Sequence, residues 1–422
     1  MTCPHYLTGD YTSSMSKRPW GYQPRSERPD PNWTLDPQTQ AVRAGLARSG
    51  FGETSEALYL TSGFTYSNAE EAEEAFIDET DHFVYGRFGN PTVAMFEQRL
   101  AALEGAEFCV ATGSGMSAMF ASVACLVKAG DRVVASASMF SSCHVVLTEI
   151  LPKWGVTIEL VKGNDPSAWA KALSTPTKAV FIETPSNPML DIVDIKMVSD
   201  LAHKVGATVI VDNVMASPVY QKPLQLGADV VMYSATKHID GQGRVLAGAV
   251  LGSFAYMQEH FLPFFRHTGP TISAFNAWIL LKSLETMQMR VEKMNASAQA
   301  IAEFLETRKE VKSVRYPGLK SHPDYALTQK QSGGAGGTNI CIELNGSKKD
   351  AFAFVNRLVV IDISNNHGDS KTLITHPAST THKRLSPDVQ AEMGITSSVL
   401  RLSVGLEASS DLIKDLTQAF NS

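Results

Sequence analysis

The chain has 422 residues, 44% of them hydrophobic and 19% charged, with a formal net charge of -6. That size and balance fit a soluble globular protein with a large core. A slightly acidic chain without a basic block speaks against nucleic acid as a partner, and no apolar run is long enough to span a membrane.

In chain order, residues 1–35 are polar and rich in proline (Pro19, Pro24, Pro29, Pro31), which predicts an extended arm. The start also lacks the apolar core of a secretory leader. The five cysteines (Cys3, Cys109, Cys125, Cys143, Cys341) are scattered and form no C-x-x-C pair, so neither a disulfide framework nor a zinc site is expected. A reducing, cytoplasmic setting follows as an expectation. "PQTQAVRAGLAR" (37–48) has helical spacing, and "AEEAEEAFIDE" (69–79) reads as an acidic helix start.

The middle of the chain alternates. "EFCVAT", "DRVVAS", "TIELV", "KAVFIET", "ATVIVDN" and "ADVVMYS" are short, apolar and β-branched, as strands buried on both faces should be. Helical segments separate them, among them "GMSAMFASVACLVKAG" (115–130) and "DIKMVSDLAHKVG" (194–206). This predicts an α/β fold whose central sheet is mainly parallel, with ligands at the carboxyl ends of its strands. After about residue 275 a long helical stretch (274–307) leads into strand candidates at 338–344, 358–364 and 399–404, with "QKQSGGAGG" (329–337) as a flexible connector. The expected units are an N-terminal arm and helical segment (1–80), an α/β domain (81–275) and a smaller C-terminal α+β domain (276–422).

Several strand ends carry chemistry. "VIVDN" puts Asp212 after an apolar strand, and "VVMYSATK" puts Ser234, Thr236 and Lys237 after the next. A lone Asp reads best as a cap, but Asp and Lys at successive strand ends face one crevice. Pyridoxal phosphate needs such a lysine for its aldehyde and a carboxylate for its ring nitrogen. "ATGSGMSAM" (111–119) loosely matches a dinucleotide fingerprint, yet no acid ends the following strand. It reads as a phosphate cradle in which the amides of Gly115 and Met116 meet an anion. Phe140 could stack on a planar ring, and Glu183 and Asn187 share a sheet edge. Tyr85 and Arg87 lie two residues apart, on one face if their segment is a strand. Arg401 sits within an apolar strand, where a structural ion pair or a substrate carboxylate would satisfy it. No metal-ligand spacing is present.

Together "YGRFGNPT", "ATGSGMSA", "ETPSNP", "VDN", "SATKHIDGQG", "THPAS" and "LRLSVGLE" resemble the Cys/Met-metabolism family of pyridoxal-phosphate enzymes, over about residues 37–417. The resemblance implies the aspartate-aminotransferase-like fold (fold type I). It also implies roles: Lys237 for the Schiff base, Asp212 for the pyridine nitrogen, Phe140 for ring stacking, and Asn187 for the 3-hydroxyl. Gly115, Met116, Ser234 and Thr236 match the phosphate cup. Tyr85 and Arg87 match residues that reach a neighbouring subunit's phosphate, with Tyr85 also a candidate for proton transfer. Arg401 and Ser379 match the grip on a substrate α-carboxylate.

"KHIDGQGRV", Phe140 in place of Tyr, and "TGPTISAFNAWILLKSLET" point within the family to sulfhydrylases. The implied reaction is conversion of O-succinyl-L-homoserine and sulfide to L-homocysteine and succinate, a step of methionine biosynthesis. Arg244 is the candidate for the succinyl carboxylate. The alternatives are an O-acetyl ester, cysteine as nucleophile, or γ-elimination. The implied assembly is a homo-oligomer, a tetramer built as a dimer of dimers with shared active sites.

Overall fold

A computed structural model describes residues 35–77 and 82–421; the expected arm at 1–35 lies almost wholly outside them. Two sheets organise the chain. The first has seven strands: β1 (Phe108–Thr112), β2 (Arg132–Ser136), β3 (Thr157–Val161), β4 (Ala179–Glu183), β5 (Thr208–Asp212), β6 (Val230–Tyr233) and β7 (Gly248–Gly252). Their spatial order is β1-β7-β6-β5-β4-β2-β3. All neighbours are parallel except β7, which runs antiparallel to both β1 and β6. The carboxyl ends of β1, β2, β4, β5 and β6 therefore open onto one edge.

The six apolar runs read as strands all form strands. β7 is an addition: "GAVLG" is short and bounded by glycines, a signature shared with loops. It has to be tight, because a Cβ on Gly248 would lie 2.3 Å from Ser114 O. Successive side chains alternate across the sheet, as the strand period requires. Ile210, Val230 and Met232 pack into a cluster on one face, while Val209 and Val211, and likewise Val231 and Tyr233, enter clusters on the other.

The second sheet has five strands: β8 (Val311–Arg315), β9 (Asn339–Leu344), β10 (Asp362–Ile363), β11 (Leu373–Thr375) and β12 (Val399–Ser403), in the order β10-β11-β12-β9-β8. Expectation and structure differ at three places here. Residues 358–364 form only the two-residue β10, because the amides of Val359, Val360 and Ile361 donate to the Asp415 carboxylate instead of to a partner strand. The glycine run at 333–337 is a turn tied down from two sides. Gly337 N donates to Asn295 Oδ1 at 2.9 Å, and the Tyr316 hydroxyl donates to Gly337 O at 3.0 Å.

The stretch 274–307 is two helices, Ala274–Leu284 and Met287–Glu306. The break is held by Arg290, whose guanidinium donates to Ser283 O at 2.9 Å and to His238 O at 3.0 Å. It thus clamps the loop that carries Lys237. Gly241 makes room for it: φ there is +68°, and a Cβ would sit 1.6 Å from Arg290 Nη1.

A buried ion cluster fastens the first described segment to this frame. Arg99 is fully buried and donates to Glu56 Oε1 at 2.5 Å and Ala44 O at 2.9 Å, and Lys282 reaches Glu56 Oε2 at 2.9 Å. Burial raises the Glu56 pKa, but the bonds from Arg99 and Lys282 outweigh it and the net shift is downward. Removing one partner leaves an uncompensated buried charge. Glu56→Ala is therefore expected to lower the unfolding free energy by about 3–5 kcal/mol in a denaturant titration. A loss within about 0.5 kcal/mol, typical of a surface substitution, would contradict this.

Candidate active site

At the carboxyl edge of the first sheet lies a cavity of about 370 Å³, lined by residues from both sheets. That volume suits a small organic ligand. Lys237 follows β6 and is largely buried. Its Nζ donates to Asn366 Oδ1 at 2.5 Å. Burial, and then the charge of Arg401, depress its pKa to about 8.

Asp212 ends β5 and Glu183 ends β4, paired in register across the two strands. Burial pushes Asp212 up to about 7, with the Val214 amide opposing. Glu183 goes well above the ordinary carboxylate range, through burial and then the nearby Asp212. Glu183 is anchored by backbone amides: Phe140 N donates to Oε2 at 2.6 Å and Asn187 N to Oε1 at 2.8 Å. Cys143 completes a trio whose ligand atoms lie within 4.8 Å of one another. Burial, and then the nearby Asp212 and Glu183, raise the Cys143 thiol well above its ordinary value.

Arg401, on β12 of the second sheet, is buried and reaches into the cavity. Its Nη1 donates to Asn187 Oδ1 at 2.8 Å, and its Nη2 to Asn365 O and Asn366 O at 2.8 and 3.1 Å. Its Nε is buried with no hydrogen-bond partner among the described residues. A buried guanidinium with a donor to spare fits an incoming carboxylate.

The helix Gly115–Ala124 points its amino end at the same cavity, where the amides of Gly115 and Met116 have no partner within the helix. Gly115 is forced by proximity to the β6 loop, since a Cβ there would lie 2.5 Å from Ser234 Cβ. Ser234 and Thr236 also line the cavity, but the Thr236 hydroxyl is engaged, donating to Ala247 O at 3.2 Å and accepting from Ala247 N at 3.0 Å.

These residues fit pyridoxal phosphate. The cradle of Gly115, Met116 and Ser234 would take the phosphate. The buried carboxylate Asp212, with no cation at ion-pair distance among the described residues, would take a protonated ring nitrogen. Lys237, its ammonium weakened, would take the aldehyde.

Not every sequence-selected residue enters the cavity. Tyr85 and Arg87 do not line it, and their segment is a turn rather than a strand, so they do not share a strand face. Arg87 instead donates to Arg266 O and packs 4.5 Å from the Phe88 ring centroid. Ser379 stands just outside, its hydroxyl 2.8 Å from His376 Nδ1, while the next residues, Thr380 and Thr381, line the wall. Arg244 braces its own loop: Nε donates to Asp240 Oδ1 at 2.9 Å and Nη2 donates to Ser283 Oγ. Sequence reasoning missed Asn366, His367 and Arg384. The polar run "SNNHGDS" between two apolar strands was the available signal for the first two.

The fold and this cluster of lysine, carboxylate and arginine define a pyridoxal-phosphate enzyme of the aspartate-aminotransferase-like class. The chain belongs to the Cys/Met metabolism PLP-dependent enzymes, whose family model matches residues 38–421. It is 54% identical over 387 residues to the O-succinylhomoserine sulfhydrylase of Mycobacterium tuberculosis (91% of this chain, 95% of the relative). It is 44% identical over 380 residues to the enzyme of the same name from Pseudomonas aeruginosa (90% and 94%). A crystal structure from Campylobacter jejuni, carrying an N'-pyridoxyl-lysine-5'-monophosphate, superposes with a TM-score of 0.88 at 29% identity, covering 92% of this chain and all of that one.

Schiff-base formation needs the neutral amine, and the depressed Lys237 makes that form abundant near pH 8. The rate at which the apoenzyme takes up pyridoxal phosphate is expected to rise with pH and level off above about 8, followed by visible absorption. A rate still climbing as though the lysine kept its ordinary pKa of about 10.4 would contradict the burial argument.

Proposed function

We propose that this enzyme replaces the succinyloxy group of O-succinyl-L-homoserine with sulfide, giving L-homocysteine and succinate in methionine biosynthesis. The observation that carries the reading is the meeting of Lys237, Asp212 and the half-satisfied Arg401 in one cavity. Relatives that carry the sulfhydrylase name support the choice of reaction.

Bound in this site, pyridoxal phosphate supplies an electron sink that stabilises negative charge on the substrate's Cα and Cβ. Lys237 is assigned to carry it and then, as a free amine, to move protons at Cα. Asp212 is assigned to keep the ring nitrogen protonated, and Phe140 to cover the ring. Arg401, with Asn187 as its brace, holds the α-carboxylate and fixes which face of the substrate meets Lys237. Ser379 steadies that wall from behind through His376. The C–O bond at Cγ breaks with its electron pair leaving on succinate, and hydrosulfide forms the C–S bond at the same carbon.

Phe140 cannot move protons as a phenol would, so that work falls to Lys237 and to Tyr85 of a second copy. Tyr85 is partly exposed and, like Arg87, lies off its own chain's cavity, which favours sites shared between subunits. We extend this to a tetramer of paired dimers in the cytoplasm. In support, Cys109, Cys125, Cys143 and Cys341 are free thiols, and no helix among the described residues is long and apolar enough to cross a membrane.

The purified holoenzyme is expected to release homocysteine and succinate in equal amounts from O-succinyl-L-homoserine and sulfide. Lys237→Ala should lose roughly 10³-fold or more in kcat. Arg401→Ala should raise KM for the ester by about 10- to 100-fold, the loss of a charge-assisted pair. Cystathionine formed from cysteine in preference, or 2-oxobutanoate released without sulfide, would assign another reaction of the family.

A further inference from the structure

The proposed substrate carries two carboxylates, and one arginine does not serve both. Arg401 is buried deep in the cavity, where the α-carboxylate must lie close to Lys237. The terminal carboxylate of the succinyl group needs a second cation, nearer to solvent. Arg244 does not supply it: the guanidinium is committed to the buried Asp240 and to Ser283, and it does not line the cavity.

Arg384 does line the cavity, and it is exposed, which puts it at the mouth. No carboxylate among the described residues pairs with it. The cavity's only acids among the described residues are Glu183 and Asp212, both buried at the strand ends. A carboxylate at the mouth would thus meet a cation and no fixed anion.

The turn beneath Arg384 is tied down by hydrogen bonds, although no partner of the side chain itself stands among the described residues. His382 and Leu385, on either side, are buried. His382 N donates to Pro377 O at 2.9 Å and Leu385 N to His382 O at 3.0 Å, while Gln390 Nε2 donates to both His382 O and Leu385 O. Ser141, from the helix that follows Phe140, donates its hydroxyl to Thr381 O. A fixed backbone presenting an exposed guanidinium at the cavity wall suits the tail of a substrate whose reacting end is held elsewhere.

We propose that Arg384 is the subsite for the terminal carboxylate of the acyl group and sets the preference for a succinyl over a neutral acyl ester. This rests on the γ-replacement reading above. The test compares kcat/KM for O-succinyl- and O-acetyl-L-homoserine with sulfide, using the holoenzymes of the native protein, Arg384→Ala, Arg384→Lys and Arg244→Ala.

The succinyl-to-acetyl ratio is expected to fall about 10- to 100-fold in Arg384→Ala, mainly through KM, as loss of a hydrogen-bonded charge pair implies. Arg384→Lys should recover part of it, because the charge remains while the planar fork is lost. Arg244→Ala should keep the native ratio. An Arg384→Ala enzyme that turns over with the native ratio overturns the proposal, and so does a ratio that falls only in Arg244→Ala. If the native holoenzyme turns over neither ester with sulfide, the γ-replacement reading itself fails, an outcome separate from either of these.

Discussion

The structure depends on holding charge out of water at the edge of one sheet. Lys237, Asp212, Glu183 and Arg401 are all largely buried in one place. Isolated burial of any of them is costly, and an unpaired charge answers by shifting its pKa. Two of the shifts follow directly: the lysine holds its proton less tightly, and the two carboxyls hold theirs more tightly.

One polar chain connects three of the four groups, and Asp212 stands beside it, in register with Glu183. Asn187 N donates to Glu183, Asn187 Oδ1 accepts from Arg401, Arg401 donates to Asn366 O, and Lys237 donates to the Asn366 side chain. The chain crosses from the first sheet to the second and back, so the two sheets must keep their relative position for the site to exist. Arg290 locks the lysine loop from behind, and an apolar cluster of Met189, Leu190 and Met215 with Cys341 and Val399 packs at the same junction. Fold stability and site geometry are here the same set of contacts.

The sequence made the strand ends legible because buried parallel strands are unbroken apolar runs, and whatever polar residue ends such a run must face the crevice. That logic found Asp212, Ser234 and Lys237, and it placed Glu183 and Asn187 on the right edge. It failed where side-chain pairing, not periodicity, decides the outcome. In "GQGRV" Arg244 reads equally as a cation for the acyl group and as a brace of its loop, and only the fold decides for the brace, through Asp240 and Ser283. The segment of Tyr85 and Arg87 reads equally as strand or surface loop, and residues 86–88 form a turn. Residues 358–364 look like a strand, but Asp415 takes the amides that a ladder would need. Arg384, in a polar segment without apolar spacing, carried no local signal at all.

The account stands on Lys237 being the cofactor's lysine. Borohydride reduction of the purified yellow protein, followed by proteolysis and mass spectrometry, tests it most directly. The account predicts a pyridoxyl phosphate mass on the peptide containing Lys237 and on no other. A label carried by a different lysine, with Lys237 unmodified, would contradict it.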